Sequence, residues 1–277
     1  MGSEKQIGLA LGAGGANGLA HILMLEAFDE LGLRPAQIAG SSIGAIIGSL
    51  YASGKSAQEI KAIVRELVGS KKSSWKDFLL NKEIFQWIEL IDPGLGKGGF
   101  ISGDAFLAFL FERVQAATFE ELEIPLAVAA TDFWKGEQVV CGSGDLASAI
   151  QGSMAMPGLF SPVRRSGRLL IDGGAVNPVP YDMLQDSCEL TVAVDVIGQR
   201  TPKEDLSLMD AIFNTFKIMQ RTIVQGKYEL RPPDIAVTPK ILDIRALEFY
   251  KADSIFEQAL PAKEELKKKL EARLFKG

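Results

Sequence analysis

The sequence predicts an α/β fold with a mostly parallel central sheet, and three observations support this class. The chain has 277 residues, of which 47% are hydrophobic, so it is long enough to bury one large core. Short apolar segments alternate with segments of helical periodicity. Glycine-rich turns join strand to helix at residues 12–18 and 40–44. A β-α-β-α order of this kind is typical of a parallel sheet.

The first seventy residues carry the clearest pattern. Ile7–Leu11 is an apolar strand, and the helix that follows keeps its apolar residues on one stripe and ends at Gly32. A second strand around Ile38 leads into a helix from about Ile43 to Tyr51. Ser56 and Glu59 form a capping box, which predicts a further helix to about Val68.

Residues 69–99 are less regular and contain Trp75, Phe78, Phe85 and Trp87. We interpret this segment as an insertion over one end of the sheet, and a lid and a packed helix pair both fit it. An amphipathic helix is expected over Ser102–Val114, and a second capping box over Thr118–Glu121.

The remaining chain alternates again between strands and helices. The expected elements are a buried strand in "IPLAVAATDF" with a hairpin partner in "EQVVCG", a helix from Asp145 to about Met154, a strand at Leu169–Asp172, a buried strand in "ELTVAVDVIG", a long helix from Asp205 to about Gln225, and a last strand in "DIAVTP". The sequence shows no internal repeat or low-complexity linker. A single domain over residues 1–277 is therefore expected.

The overall composition argues against several classes of function. The formal net charge is −5 and no basic stripe dominates, which argues against a nucleic-acid partner. The two cysteines, Cys141 and Cys188, have neither a metal-ligand spacing nor the spacing of a disulfide framework. No apolar run approaches the ~20 residues of a membrane span. We therefore expect a cytoplasmic protein, and leave open a peripheral contact with a membrane surface.

Residues 40–44, Gly-Ser-Ser-Ile-Gly, fit the pattern G-x-S-x-G and select Ser42 over Ser41 as a nucleophile. In this motif the serine lies on a sharp strand-to-helix turn, and the residues two before and two after it must be small. Gly40 and Gly44 meet that requirement. The alternative is a serine that only caps a helix.

An activated serine needs a base within hydrogen-bond reach. The one histidine of the chain, His21, lies one helical turn past the first glycine loop, beside the apolar stripe of its helix. A packed, non-catalytic histidine is the better interpretation. Either Ser42 is inert, or its base is a carboxylate.

The first glycine loop, from Gly12 to Gly18, would present amide groups to an anion. One such anion is a dinucleotide pyrophosphate, but Asn17 stands where the fingerprint requires its last glycine, and no acidic residue ends the second strand. A nucleotide-binding oxidoreductase is therefore disfavoured. The other anion is the oxyanion that forms when Ser42 attacks an ester.

Asp172 is the candidate carboxylate. It ends an apolar strand, and the two glycines that follow it, Gly173 and Gly174, allow a close approach of the backbone. An Asp-Gly hairpin turn is an equally good interpretation of this residue on its own.

Four blocks in this order resemble the patatin-like phospholipases, most closely the bacterial lipid acyl hydrolases of that family. The blocks are "LALGAGGANGLAH", "GSSIGA", "GSMAMPGLFSPV" and "DGG", and the similarity runs from about residue 7 to 180. It is much weaker over residues 201–277, which we treat as a C-terminal extension of helices and strands.

The resemblance implies a three-layer α/β/α fold, no metal, no cofactor, and a serine-aspartate dyad. Ser42 would be the nucleophile and Asp172 its base, with Gly14, Gly15 and the backbone of Asn17 as the oxyanion hole. The substrate would be a fatty-acyl ester or a phospholipid. The family usually has Arg or Lys where this chain has Asn17, so a local positive charge is missing.

An aspartate with an ordinary pKa of about 4 is a weak base for a serine hydroxyl. We therefore expect a dry site that raises the pKa of Asp172. A lipid-binding or regulatory protein with the same fold and little turnover is the main alternative.

The C-terminal segment is a candidate membrane contact. Leu266, Leu270 and Leu274 share one helical face, and basic residues surround them. A terminal helix with one solvated face is the simpler interpretation.

Overall fold

The structure is a computed structural model, and it describes residues 5–69, 109–110, 112–199, 201–202 and 208–274. Its described strands form one eight-stranded mixed sheet with helices on both sides. The strands are β1 (Ile7–Leu11), β2 (Gln37–Ser41), β3 (Leu126–Asp132), β4 (Glu137–Cys141), β5 (Val163–Arg165), β6 (Arg168–Asp172), β7 (Leu190–Val194) and β8 (Ile235–Val237). The described α-helices are α1 (Ala20–Glu30), α2 (Ile43–Ala52), α3 (Ala57–Gly69), α4 (Leu146–Met154), α5 (Leu208–Leu230) and α6 (Ala252–Leu274).

The central strands divide their side chains by size between the two faces of the sheet. In β1, Leu9 and Leu11 belong to the large core that includes α1, α2 and α6, whereas Ala10 faces the smaller core. The same alternation holds for Val192 and Ala193 in β7. Because successive strand residues point to opposite faces, this pattern sets a helical layer on each side. The three-layer α/β/α expectation is confirmed.

The order of the sheet is β5-β6-β3-β2-β1-β7-β8, with β4 also paired to β3. Strand β3 has β4 along one edge, while β2 and β6 follow each other along its other edge. Ser41 at the end of β2 pairs with Ala129, and Asp172 at the end of β6 pairs with the next residue, Ala130. Strand β2 arrives parallel to β3 and β6 arrives antiparallel. Their carboxyl ends therefore meet.

Most of the predicted elements agree with the structure to within a few residues. The Ser56 capping box is complete: the Glu59 amide donates to Ser56 Oγ at 3.2 Å, and the Ser56 amide donates to the Glu59 carboxylate at 2.8 Å. Asp145 caps α4 by accepting from the Ser148 amide at 2.8 Å.

Two predictions need correction, and one strand was missed. The Thr118 capping box is absent, since Phe119–Glu121 is one 3-10 turn without a side-chain cap. Strand β5 was not predicted, because its three residues are exposed or half-exposed and carry no apolar pattern. Helix α5 is described from Leu208 to Leu230, and so extends five residues past the predicted end.

Other predictions fall on residues outside the described part of the chain. The interpretation of residues 69–99 as an insertion lies there, apart from Gly69, which ends α3. So does most of the helix expected over Ser102–Val114, of which only Phe109, Leu110 and Glu112 are described as helical.

The C-terminal helix α6 is part of the core. Leu266 and Leu270 are both 0% exposed and pack in the large hydrophobic cluster. Lys263 forms ion pairs with Glu26 at 3.0 Å and with Glu30 on α1. The apolar face of this helix is therefore not available to a membrane, which corrects that hypothesis. Among the described helices, none is long and apolar enough to cross a bilayer.

We predict that Leu266→Ala and Leu270→Ala each lower the free energy of unfolding by about 2–5 kcal/mol, because each leaves a cavity in a closed core. Urea unfolding followed by circular dichroism measures this loss. Lys268→Ala, an exposed position on the same helix, serves as the control and should change stability by less than about 0.5 kcal/mol. Full stability of both leucine variants would mean that the helix does not pack as described.

Candidate active site

Ser42 lies on a strained turn between β2 and α2. Its backbone angles are φ 53° and ψ −123°, a region that L-residues rarely adopt. The two flanking glycines allow this turn by their lack of a side chain. A Cβ on Gly40 would lie 2.6 Å from Cα of Ala45, and one on Gly44 would overlap the carbonyl oxygen of Leu11. The roles expected for both glycines agree with this geometry.

The hydroxyl of Ser42 donates a hydrogen bond to Asp172 Oδ2 at 2.7 Å. The backbone of Asp172 is fixed on two sides: its amide donates to Ala155 O at 3.0 Å, and its carbonyl accepts from Thr131 Oγ1 at 2.8 Å. The register along β3 therefore places the two residues, and the surrounding hydrogen bonds keep them in contact.

Burial sets the acid-base behaviour of Asp172. The residue is 3% exposed, and its desolvation raises the pKa to about 6, against the opposing effect of hydrogen bonds from Ser42 and from the Gly174 amide at 2.7 Å. The carboxylate is still mostly ionised at neutral pH, yet more basic than an exposed aspartate. The expectation of a dry site with a raised pKa is confirmed in direction.

Gly173 and Gly174 permit this close contact. A Cβ on Gly173 would overlap the carbonyl oxygen of Ala129. A Cβ on Gly174 would overlap the side-chain amide of Gln220, which donates to Gly174 O at 3.2 Å. The predicted supporting role of both residues thus has a steric basis.

Ser153 is a site residue that sequence analysis missed. It is completely buried, accepts a hydrogen bond from the Ser42 amide at 2.9 Å, and donates one to Ala129 O at 2.6 Å. The Ser42 amide is therefore occupied and is not a donor for an oxyanion. Ser153 lies in the block "GSMAMPGLFSPV" that carries part of the family resemblance, but nothing in the sequence separates it from an ordinary helix serine.

The glycine loop lies across the pocket from Asp172. The amides of Ala13 and Ala16 donate to Pro178 O and Ala246 O, both at 2.7 Å. Gly14 and Gly15 lie between them and line the pocket with Ser42. Gly15 has a φ of +58°, which favours glycine. These two positions can offer amides to an oxyanion.

The oxyanion role expected for the backbone amide of Asn17 stays a prediction, but the residue lies outside the lining of the pocket. It is 2% exposed and does not line the pocket, and its Nδ2 donates to Ile197 O at 3.3 Å. Its side chain is thus used inside the fold. Gly14 and Gly15 therefore line the pocket, whereas Asn17 does not.

His21 is not a base for Ser42. It is 0% exposed, and its Nε2 donates to the carbonyl oxygen of Gly12 at 2.8 Å. Burial lowers the pKa of His21 to about 4, so the ring is neutral at physiological pH. The prediction of a packed histidine is confirmed, and the residue supports the start of the glycine loop.

The pocket above Ser42 and Asp172 is mostly apolar. Its walls come from the glycine loop, from the segment after α4, from α5, and from the segment before α6. The lining residues are Ala13, Gly14, Gly15, Ser42, Ile43, Met154, Met156, Leu159, Phe160, Asp172, Phe213, Phe216, Lys217, Gln220, Ala246, Leu247 and Phe249. An apolar cavity with a few convergent polar groups is the usual form of a small-molecule site.

Helix α5 supplies part of this wall that the sequence did not reveal. Phe213 and Phe216 face the pocket, and Lys217, a buried residue with 9% exposure, adds a cation to it. These residues lie in the region where the sequence similarity was weak. Their helix was predicted, but its position over residues 173–175 depends on contacts far apart in the chain. Among the described residues, no cluster of metal ligands is present.

Comparison with known proteins places the chain by family. Residues 9–184 match the family model of patatin-like phospholipases. An uncharacterised NTE family protein of Mycobacterium tuberculosis is 34% identical over 197 residues, which cover 71% of this chain and 50% of that protein. The lysophospholipase NTE1 of Kluyveromyces lactis is 30% identical over 203 residues, which cover 72% of this chain and 13% of that protein.

The fold also has a counterpart among solved structures. VipD from Legionella pneumophila superposes with a TM-score of 0.53 and 15% sequence identity, covering 96% of this chain and 67% of that one. This similarity concerns the fold alone. The chain spans half the length, or less, of the curated relatives described above.

We predict that Asp172→Asn is more stable than wild type at pH 8 by about 2–3 kcal/mol, and that this advantage shrinks towards pH 4. The pKa of Asp172 is raised on folding, so its ionisation destabilises the folded state as the pH rises from 4 to about 6. An asparagine does not ionise. Urea unfolding of both proteins between pH 4 and pH 8 measures the difference, and a constant difference would contradict the raised pKa.

Proposed function

Because this chain belongs to the patatin-like phospholipase family, we propose that it is a serine hydrolase that cleaves fatty-acyl esters of lipids, as a phospholipase A, lysophospholipase or esterase. The observation that carries the proposal is the 2.7 Å hydrogen bond from Ser42 Oγ to a buried carboxylate of Asp172, at the floor of an apolar pocket. A nucleophile bonded to its base is the arrangement that acyl transfer requires.

In the proposed reaction, Asp172 takes the proton of Ser42 as Ser42 Oγ attacks the acyl carbonyl carbon. The amides of Gly14 and Gly15 stabilise the negative charge on the carbonyl oxygen, and one such donor is typically worth about 3–4 kcal/mol. The tetrahedral intermediate collapses, and Asp172 returns the proton to the departing alcohol. An acyl-enzyme remains on Ser42.

Water completes the reaction by the same route. Asp172 removes a proton from the water that attacks the acyl-enzyme, and the proton then returns to Ser42 as the fatty acid leaves. The proposed steps use no cofactor and no metal. The apolar walls from α5 and from the segment after α4 are suited to the acyl chain, because burying CH₂ groups is favourable by about 0.8 kcal/mol each.

A lipid-binding protein with little turnover would use the same apolar pocket and is the second candidate. The strained backbone of Ser42 argues for turnover, because strain of about 1–3 kcal/mol persists where the surrounding structure holds a functional group in place. A chemical probe of the serine separates the two candidates.

We predict that a fluorophosphonate probe labels the wild-type protein and does not label Ser42→Ala. The matched control is Ser41→Ala: Ser41 is the adjacent serine and is 0% exposed, so its variant should be labelled as wild type is. Intact-protein mass spectrometry measures the adduct. Equal labelling of wild type and Ser42→Ala, or no labelling of wild type, would refute the proposed nucleophile.

We predict that kcat/KM for a soluble acyl ester rises with pH through an apparent pKa near 6, because the carboxylate of Asp172 must be ionised to accept a proton. Asp172→Asn should lower kcat by about 10²–10⁴-fold while the protein remains folded. The control is Asp253→Asn, whose carboxylate is exposed on α6. Full activity of Asp172→Asn would exclude the dyad even if Ser42 is labelled.

A further inference from the structure

Two neighbouring turns extend the sheet past the edge that carries Ser42. The first turn, residues 133–136, joins β3 to β4, and the second, residues 166–167, joins β5 to β6. Asp132 pairs with Leu170, and the Phe133 amide donates to Leu169 O at 2.8 Å, so the two hairpins lie side by side. We call residues 133–136 and 164–168 together the hairpin surface.

The first turn exposes two aromatic side chains. Phe133 is 44% exposed and Trp134 is 78% exposed, and their rings contact edge to face with centroids 4.9 Å apart. Both residues follow directly after β3, a strand whose residues are all buried. Exposed tryptophan is uncommon on a soluble surface, whereas at a membrane interface its ring and its N–H group are both satisfied.

The turn that carries these rings is rigid. Oδ1 of the buried Asp132 accepts from the amides of Trp134 at 3.1 Å and Lys135 at 3.2 Å, and the Gly136 amide donates to Asp132 O at 2.9 Å. Gly136 has a φ of +65°. The aromatic pair is thus held in place before any partner binds, which lowers the entropic cost of docking.

Cations accompany the aromatic pair. Lys135 lies in the first turn. Arg164 and Arg168 lie on opposite faces of the second hairpin, because Arg164 pairs with Leu169 and Arg168 with Arg165. All three cations are exposed, so they surround the end of the hairpin pair. Arg165 is the exception, since it turns inward and donates to the carbonyl oxygens of Ser143 and Asp145. Glu137 is the acidic neighbour at the start of β4. The surface is therefore locally basic in a chain whose net charge is −5.

The hairpin surface lies at the same edge of the sheet as the pocket. Strand β3 runs parallel to β2 and continues three residues beyond Ala129, the partner of Ser41. At about 3.3 Å per residue, the turn projects roughly 10 Å past the end of β2. The segment that leads into β5 contributes Met156, Leu159 and Phe160 to the pocket wall. A planar partner on the turns would thus lie at the same edge as the pocket.

We infer that the hairpin surface binds an anionic lipid membrane, with Phe133 and Trp134 in the interface and Lys135, Arg164 and Arg168 against lipid phosphates. Aromatic side chains beside several cations are the combination that interfacial binding uses. The choice of a membrane over an acidic protein rests on the proposed lipid hydrolase activity. The buried leucines of α6 cannot serve this role, so the surface also replaces the tail as the membrane contact.

The test measures co-sedimentation with vesicles of phosphatidylcholine, with and without phosphatidylglycerol. The protein carries Ser42→Ala, so that the vesicles are not consumed. We expect binding to the vesicles that contain phosphatidylglycerol. Phe133→Ser with Trp134→Ser, and separately Lys135→Glu with Arg164→Glu and Arg168→Glu, should each weaken that binding by more than about tenfold.

The controls lie at the opposite end of the molecule. Leu230→Ser removes an even more exposed apolar side chain, 89% exposed, where α5 approaches the start of β8. Lys268→Glu reverses an exposed charge on the second half of α6. Both control variants should bind vesicles as the Ser42→Ala parent does. In a second control, the hairpin substitutions are made in protein that keeps Ser42, and these variants should still hydrolyse a soluble short-chain ester.

The outcomes separate this inference from the proposed function. Vesicle binding that is unchanged in both sets of hairpin variants overturns the inference, and so does binding to neither kind of vesicle or equal loss in the controls. If wild type is not labelled by fluorophosphonate but the hairpin variants lose vesicle binding, the enzymatic proposal fails and the membrane surface stands. If wild type is labelled but binds neither kind of vesicle, the membrane inference fails and the enzymatic proposal stands.

Discussion

The pairing of β3 with two successive strands along one edge is the constraint on which the site depends. Strand β2 occupies that edge up to Ala129, and β6 occupies it from Ala130 onward, in the opposite direction. The ends of two distant segments are therefore joined by backbone ladders instead of flexible loops. The Ser42–Asp172 hydrogen bond follows from this register, since each residue lies at or next to the end of its strand. Ser153 strengthens the same point by linking the Ser42 amide to the Ala129 carbonyl.

Several backbone segments meet around Ser42 and Asp172, and this crowding explains why glycines are concentrated there. Gly40, Gly44 and Gly173 each lie against another backbone where a Cβ would collide. Such collisions cannot be relieved by a rotamer change, because the nearest neighbours are main-chain atoms of packed elements. The strain at Ser42 is maintained by the same crowding, which leaves the turn no room to relax. The glycines are thus a steric requirement of the meeting point, and the chemistry of the serine is a consequence of that packing.

The sequence was informative where the determinants are local, and incomplete where they are not. Gly40 and Gly44 selected Ser42, because that pattern depends on a short segment. The Asp-Gly-Gly run after an apolar strand made Asp172 a candidate but fitted a hairpin turn equally well, and only the resemblance over four blocks gave Asp172 the role of base. Ser153, Phe213 and Lys217 reach the site through packing between segments far apart in the chain, for which a single sequence carries no signal. The same limit explains Asn17, whose side chain bonds to Ile197, a partner 180 residues away. The leucines of α6 were ambiguous for a related reason, since an apolar helical face fits a core and a membrane equally well.

In the proposed dyad, the basicity of Asp172 limits how much proton transfer can contribute to the rate. A histidine base in a triad has a pKa near neutrality without help, whereas an aspartate must be made more basic by burial. The hydrogen bonds from Ser42 and the Gly174 amide limit that rise, because both favour the ionised carboxylate. A carboxylate with a pKa of about 6 remains a weaker base than an alkoxide by many units, so proton transfer alone cannot supply the rate. Stabilisation of the oxyanion at Gly14 and Gly15 must then carry more of the barrier than it does in a triad enzyme. An apolar pocket serves both needs, since excluding water raises the basicity of Asp172 and strengthens the amide-oxyanion interaction.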